Sequence, residues 1–363
     1  MSIDWNFYKG KKIIITGNTG FKGSWMSSLL LEAGADVTGY SLEAPTEPSM
    51  FDLCGLKHEM KTVYGDIRNL DLLDRTIREV QPEFMVHMAA QPIVRESYVR
   101  PVYTYEVNVM GTVNIMECIR KNDCISSFVN VTTDKVYENR EWEWGYRENE
   151  RLNGYDPYSN SKSCSELVTD SYRKSFFDGK DRKIAISTAR AGNVIGGGDF
   201  AVDRIVPDCV RAAVDGKEIE VRNPNSIRPY QHVLEPVTVY LMILKAQWED
   251  QNYAGNYNVG PDESDCLTTG QLAEIFCNKW QNHTGKELMW NSVQKNGPHE
   301  ANYLKLDCSR LKRTFGWKPC WDVEMAIDKT VEWYTCYHQK GDLVECTRNQ
   351  INDFLKLFGQ NGK

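Results

Sequence analysis

Residues 12 to 23 read KIIITGNTGFKG, an apolar run that stops at one glycine and, two glycines later, resumes with helical period. Few folds accept a chain that must leave a strand and enter a helix within seven residues of this kind. Gly17 permits the tight turn, Gly20 lets the backbone approach a pyrophosphate, and Gly23 allows the helix to pack closely. The helix N-terminus then offers unpaired N–H groups to an anion. Three glycines at this spacing say little alone; with a strand before them and a helix after them they predict a dinucleotide-binding turn.

The same alternation continues along the chain. β-Branched runs predict strands over 12–16, 36–40, 61–64, 84–87, 126–132 and 184–189, and helical period covers 23–33, 70–80, 102–121 and 158–177. This is the pattern of an α/β protein with a Rossmann-type, doubly wound parallel sheet. After Arg190 the alternation ends in a glycine run at 196–199 and in Pro207, Pro224 and Pro229, with one more helix expected over 236–249. We therefore expect a dinucleotide-binding domain of residues 1–190 plus about 230–258. A smaller C-terminal substrate-binding domain takes about 191–229 plus 259–363. With 363 residues, 41% of them hydrophobic, the chain can bury cores for both.

The formal charge of −7 is spread evenly, with no basic block for nucleic acid or an anionic bilayer. An anionic substrate must then be met by individually placed arginines. No stretch of about 18 apolar residues occurs and the first residues lack a signal-peptide core, so a cytoplasmic protein is expected. Eleven cysteines and six histidines are dispersed without CxxC or zinc-site spacing, which argues for reduced core thiols and against a metal centre.

Two groups of residues carry chemistry. Tyr158 and Lys162 lie four apart at the start of a helix, on one face, where an ammonium would lower the phenol from its usual value near 10 and make it a general base. The spacing is cheap, since Tyr8 and Lys12 share it; position after the fifth strand is what singles the pair out. That strand ends in Thr133, Asp134 and Lys135, at the carboxyl edge where open α/β sheets bind ligands. A reductase or epimerase needs one hydroxyl there, whereas elimination of water also needs an acid for the leaving hydroxyl and a base for the neighbouring carbon. Asp134 and Lys135 supply both, and the plain alternative is a solvated turn of opposite charges.

Other cofactor positions follow from the fold. Ser41 stands where a ribose-binding acid is expected and Glu43 is a neighbouring alternative, while no arginine there favours a 2′-phosphate. Asp66, followed by Ile67, either reaches the adenine or caps the helix that begins at Leu70. Ala89, Ala90 and Gln91 end the fourth strand, where a cofactor backbone would pass.

At these residues the chain resembles the extended short-chain dehydrogenase/reductase superfamily and, within it, the CDP-glucose 4,6-dehydratases. The resemblance spans nearly the whole chain, through TGNTGFKGSW, APT at 44–46, GDIR, HMAAQP with VRESY, NVMGT, TTDKVYENREWEWGYRENE, GYDPYSNSKSCSELV, RAGNVIGGGD, NPNSIRPYQHVLEP and PHEANYLKLD. It implies an NAD-dependent dehydratase with Thr133, Asp134, Lys135, Tyr158 and Lys162 at its active site, Lys135 standing where the dTDP-glucose and GDP-mannose enzymes carry Glu. It also implies cofactor contacts from Asn18, Thr19, Phe21 and Lys22 in the glycine loop, although Asn18 departs from the histidine usual in this branch. Asp134 would stay protonated near neutral pH to release the sugar 6-hydroxyl. Substrate contacts are expected from Asn193, Arg204, Arg222 and above all Arg228, with His299, Glu300 and Tyr303 as further lining residues. Tyr98 either approaches the sugar or packs in the core. The two long helices, by the same resemblance, would pair across a homodimer. A nucleotide-sugar epimerase or reductase is the alternative enzyme; a silent NAD-sensing regulator would have lost Tyr158 or Lys162, and both are present.

Overall fold

The computed structural model describes residues 4–179, 184–293 and 303–360. Its strands are β1 Lys12–Thr16, β2 Asp36–Ser41, β3 Lys61–Tyr64, β4 Phe84–His87, β5 Ser127–Thr133 and β6 Ala185–Ala191, then β7 Asn193–Ile195, β8 Ile219–Val221, β9 Ile227–His232, β10 Asn256–Val259, β11 Cys266–Thr268 and β12 Trp290–Ser292. Seven of them form one parallel sheet in the order β10-β6-β5-β4-β1-β2-β3. The remaining strands make a three-stranded sheet, β11-β9-β7, and a two-stranded one, β12-β8.

β1 shows why the sheet is covered on both faces. Ile13, Ile14 and Ile15 are all fully buried, and successive side chains point to opposite sides. Ile13 and Ile15 join one core with Trp25, Leu29 and Leu241, whereas Ile14 joins the other with Ile77 and Ile115. A continuous apolar run of this kind suits a parallel strand between two helical layers. Each such isoleucine contributes about 1.5–3 kcal/mol by leaving water.

Parallel pairing also sets the position of the site. Strand order reverses between β1 and β4, so the loops leaving them flank a crevice at the carboxyl edge. β4 ends at His87, opposite Asn130 of β5, and β5 runs on to Thr133. The Thr133-Asp134-Lys135 triplet therefore rises beyond the edge of its neighbour.

The structure adjusts several expectations. The fifth strand starts at Ser127 rather than 126 and takes in Thr133, and β6 runs on to Ala191. The first long helix is three segments: Pro101–Tyr105, a π-helical turn at Glu106–Met110, and Gly111–Lys121. The second, Pro157–Tyr172, likewise ends in a π-helical turn, Arg173–Phe177. Local period cannot foretell such turns, because they answer to what packs against them. At Gly111, a Cβ would fall 2.4 Å from the Ile67 Cδ1, so this helix comes close only because it carries no side chain there. The helix expected over 236–249 begins earlier, at Leu234, because Pro236 falls in its first turn, where its missing N–H costs nothing. Among the described residues no helix is long and apolar enough to cross a membrane, and no group of three or more His, Cys, Asp or Glu could hold a metal ion.

Candidate active site

The glycine loop has the geometry its sequence suggests. Gly17 has φ +80°, and a Cβ on it would lie 2.8 Å from the Ala89 backbone nitrogen. At Gly23 a Cβ would fall 2.1 Å from the Gly17 carbonyl, so the helix Phe21–Glu32 rests directly on the loop. Gly20, at the N-cap of that helix, is much less crowded, its nearest neighbour being the Gly17 carbonyl at 3.5 Å. Close packing beneath the turn with room above it, at a helix N-terminus, fits a dinucleotide pyrophosphate.

The other expected cofactor residues have varied placements. Asn18 points inward: it is fully buried, its amide donates to the Thr62 hydroxyl at 3.0 Å, and Gly39 is a glycine because a Cβ there would fall on it. The Thr19 hydroxyl meets Ser41 Oγ at 2.8 Å, tying the loop to the end of β2, and Phe21 packs on Gly196. Ile67 is a core residue against Gly111. Gln91 is held on three sides, by Asn108, Thr104 and the Ile93 N–H. Ala89 and Ala90 are half-buried at the crevice, and Glu43 is exposed. Asp66 does not cap the next helix, a role Asn69 takes with its side chain on the Leu72 N–H. It is instead gripped by the Arg68 guanidinium at 2.7 Å, which also bonds Glu106, and this hydrogen bonding holds its carboxyl below the usual range. A surface cleft of about 500 Å³ opens beside this pair.

The reacting groups converge. Asp156 caps the helix Pro157–Tyr172, accepting from the Ser159 N–H at 2.9 Å, and Pro157 fits its first position, where no N–H is needed. That start places Tyr158 and Lys162 one turn apart on one side. Thr133 donates to Asp134 Oδ1 at 2.9 Å, and the hydrogen bonding of Thr133 extends to the Tyr158 phenol. Asp134 is 1% exposed, and its Oδ2 is buried without a hydrogen-bond partner among the described residues. Burial pushes its carboxyl above the usual range, against the opposing charges of Lys135, Arg228 and Lys22 and the bond from Thr133. Lys135 is half-buried, its N–H bonded to Thr133 Oγ1 at 3.4 Å. A buried carboxyl with a raised affinity for its proton and one oxygen unclaimed is suited to hand that proton to a leaving group.

One expectation is reversed. Burial raises Tyr158 to about 12, outweighing the Thr133 hydrogen bond and the Arg204 charge that lower it. Lys162, donating to the Val131 carbonyl at 3.3 Å, is itself pulled down to about 8, by burial first and then by the Lys22 charge, with Glu166 opposing. Desolvation therefore governs the phenol, with Thr133 and Arg204 as the groups that oppose it. Lys22 is displaced too: burial and Arg204 bring it down to about 8, with Asp134 and Asp199 opposing, which places it among the reacting groups as well as in the glycine loop.

The substrate-side residues divide. Arg204 pairs with Asp199 at 2.8 Å and lies near enough to Tyr158 for their charges to interact. Arg228 bonds its own strand at the Ile227 carbonyl, 2.8 Å, and its charge acts on Asp134. Asn193 opens β7, opposite Tyr230. Arg222 is apart from this cluster, paired with Asp203 at 3.1 Å, which Arg95 also binds at 3.2 Å. Tyr303 pairs by backbone with Ile227 and carries Lys305 over its ring. Tyr98 is 43% exposed, so the core alternative falls away. His299 and Glu300 lie outside the described residues.

Two supporting groups were missed from sequence. Asn108, inside the first π-helical turn, bonds Gln91 and, at 2.9 Å, the Ser161 hydroxyl, joining the end of β4 to the helix of Tyr158 and Lys162. Glu166 pairs with Arg190 at 2.9 Å in the interior. Its signal was present, since Glu166 lies one turn after Lys162.

Residues 14–330 match the family model described as GDP-mannose 4,6 dehydratase. The chain is 44% identical over 357 residues to the CDP-glucose 4,6-dehydratase of Salmonella typhimurium, covering 97% of this chain and 98% of that protein. It is 30% identical over 350 residues to the CDP-paratose 2-epimerase of Salmonella typhi, covering 89% and 98%. Among solved structures, the dTDP-glucose 4,6-dehydratase of Streptomyces venezuelae, with NAD and TYD bound, superposes with a TM-score of 0.75 at 22% identity over 92% of this chain and 99% of that one. The UDP-glucose 4-epimerase of Thermotoga maritima, with UDP-glucose, gives 0.75 at 20% over 90% and 99%. At these identities the structural likeness is one of fold.

The raised carboxyl of Asp134 makes a prediction about stability. At low pH the residue is neutral whether the chain is folded or not. As pH rises past the ordinary value of 3.8 the unfolded chain ionises first, so the buried group takes away more and more stability until its own raised value is passed, after which the loss stays constant. Asp134→Asn should therefore match the parent in acid and gain on it steadily toward neutral pH in urea titrations. A variant whose deficit grows with pH would contradict the assignment.

Proposed function

Because the chain belongs to the GDP-mannose 4,6-dehydratase family, we propose that this nucleotide-sugar 4,6-dehydratase takes CDP-glucose, with NAD, and forms CDP-4-keto-6-deoxy-glucose. The observation that carries the reading is Asp134, a buried carboxyl with one unclaimed oxygen, raised above the usual range by burial, set between Thr133 and Lys135 and beside Tyr158. A simple oxidoreductase has no use for a second acid and base at that point.

In this reading residues 1–190 with about 230–258 hold the cofactor, and about 191–229 with 259–363 hold the nucleotide sugar. Gly17, Thr19, Gly20 and Lys22 take the pyrophosphate of NAD, Asp66 and Ile67 border its adenine, and Ala89 and Ala90 leave room for its path. When bound, NAD would supply a hydride acceptor that can also return the hydride, and a positive charge. Tyr158 removes the proton of the sugar 4-hydroxyl, with Thr133 holding that oxygen and Lys162 stabilising the phenolate. The 4-ketone acidifies the hydrogen at C5, which Lys135 or a neighbouring base takes, and Asp134 gives its proton to the departing 6-hydroxyl. Arg228 and Arg204, with Asn193, receive the diphosphate side of the substrate.

We further propose a homodimer in the cytoplasm. Its support is a row of exposed apolar side chains on two helical segments packed against each other, including Val102 at 71% and Leu167 at 54% exposed, with Met110 and Phe176. Leu167→Asp should shift the sedimenting species from dimer to monomer, and an unchanged dimer would remove this face from consideration.

The substrate is tested with purified chain, NAD and a panel of CDP-, dTDP-, UDP- and GDP-hexoses, read by the alkaline chromophore of a 4-keto-6-deoxy product. CDP-glucose should lead in kcat/KM by roughly 10-fold or more. A better rate with another nucleotide would overturn the base assignment, and an epimer without chromophore would overturn the reaction. Asp134→Asn should retain oxidation at C4, seen as reduced-nicotinamide absorbance in a single turnover, while elimination slows by about 10²–10⁴-fold. Equal loss of both steps would remove Asp134 from the role of leaving-group acid.

A further inference from the structure

All eleven cysteines are free thiols, and Cys54, Cys118, Cys209, Cys277 and Cys308 are sealed in the interior. Cys336 and Cys346 are different. Cys336 lies in the last turn of the helix Val323–His338, Cys346 in the first turn of Leu343–Gln360, and residues 339–342 fold the chain back between them. The Asp342 carbonyl accepts from both, from the Cys336 thiol at 3.7 Å and from the Cys346 backbone N–H at 2.9 Å. The shared carbonyl thus brings the Cys336 sulfur and the Cys346 backbone to the same atom across the turn. The turn closes this tightly because residue 341 is glycine: a Cβ there would stand 2.8 Å from Cys336 Sγ. Both cysteines are half-buried, so small reagents can reach them.

Their surroundings join distant parts of the molecule. Thr347, next to Cys346, accepts from the Trp333 indole at 3.0 Å and touches Cys54 Sγ at 3.6 Å. Arg348 pairs with Glu32 at 2.5 Å, on the helix that starts at the glycine loop. On the Cys336 helix, Tyr334 donates to the Asp199 carbonyl, in the loop that also holds Arg204.

We propose that Cys336 and Cys346 form a dithiol site for small-molecule disulfides, which convert it to an intramolecular disulfide stapling the two C-terminal helices. The Cys336 thiolate attacks one sulfur of oxidised glutathione, whose S–S bond breaks and releases one glutathione thiolate. Cys346 then loses its proton, attacks Cys336 Sγ and expels the second. The two cysteines lose two electrons and two protons, and the glutathione disulfide ends as two thiols. Burial, aided by its neighbour, raises the Cys346 thiol and so disfavours its own attack on a disulfide.

The test uses the full chain with NAD, incubated with oxidised glutathione, alkylated and digested without reduction for mass spectrometry. A peptide linking Cys336 to Cys346 is expected, together with a rise in thermal midpoint of roughly 2–6 °C over the reduced protein. Cys346→Ser should stop at a stable glutathione adduct on Cys336, and Cys336→Ser should leave Cys346 unmodified. A stable adduct without cross-link in the parent, or oxidation of other cysteines ahead of this pair, would overturn the proposal.

Discussion

Everything at the crevice depends on one ion pair that touches no reactant. Glu166 and Arg190 are each 1% exposed and lie 2.9 Å apart, and their bonds reach several elements at once. Glu166 also accepts from Thr132 on β5 and, at 2.7 Å, from Thr188 on β6, while Arg190 donates to the Tyr137 hydroxyl at 2.8 Å and the Glu148 carbonyl at 3.0 Å. Desolvating two charges costs several kcal/mol per ion, which such a pair recovers only with well-formed geometry. The gain is registration. Glu166 sits one turn after Lys162 and Thr132 one residue before Thr133, so the network sets the spacing between the phenol–ammonium pair and the elimination triplet.

Above this network the local field has the opposite sign from the molecule as a whole. The chain carries −7, yet Lys22, Lys135, Arg204 and Arg228 gather around Asp134 and Tyr158. Burial first, and then the charge of Arg204 on Lys22 and of Lys22 on Lys162, explain why both lysines fall to about 8. Asp134 shows that desolvation outweighs even this attraction, since it stays raised among cations. Cations gathered in this way favour an anion at the crevice, while burial favours the protonated form of the one carboxyl among them.

The strands were legible because a parallel sheet buried on both faces leaves β-branched runs that need no context, and the glycine loop because Gly17 and Gly23 answer to a turn and a close approach within a few residues. Thr133, Asp134, Tyr158 and Lys162 do meet at one crevice. Less legible were residues whose neighbours come from far along the chain. Asn18 turns inward onto Gly39 and Thr62, Ile67 fills space left by Gly111, and Asp66 is claimed by Arg68 and leaves the cap to Asn69. The π-helical turn at Glu106–Met110 was read as ordinary helix, because its reason, the reach of Asn108 to Gln91 and Ser161, is spatial.

Periodicity, backbone conformational demand and the chemical types of side chains are properties of short stretches, and they were enough to specify a doubly wound sheet and a tight glycine turn at a helix N-terminus. Protonation was decided elsewhere. That the Asp134 carboxyl is raised, that Tyr158 rises where its lysine was expected to lower it, and that Cys336 and Cys346 share the Asp342 carbonyl all depend on which surfaces exclude water and which groups approach. Desolvation and Coulomb energies fall off with distance in space and take no account of distance along the chain, so only the packed molecule could assign them.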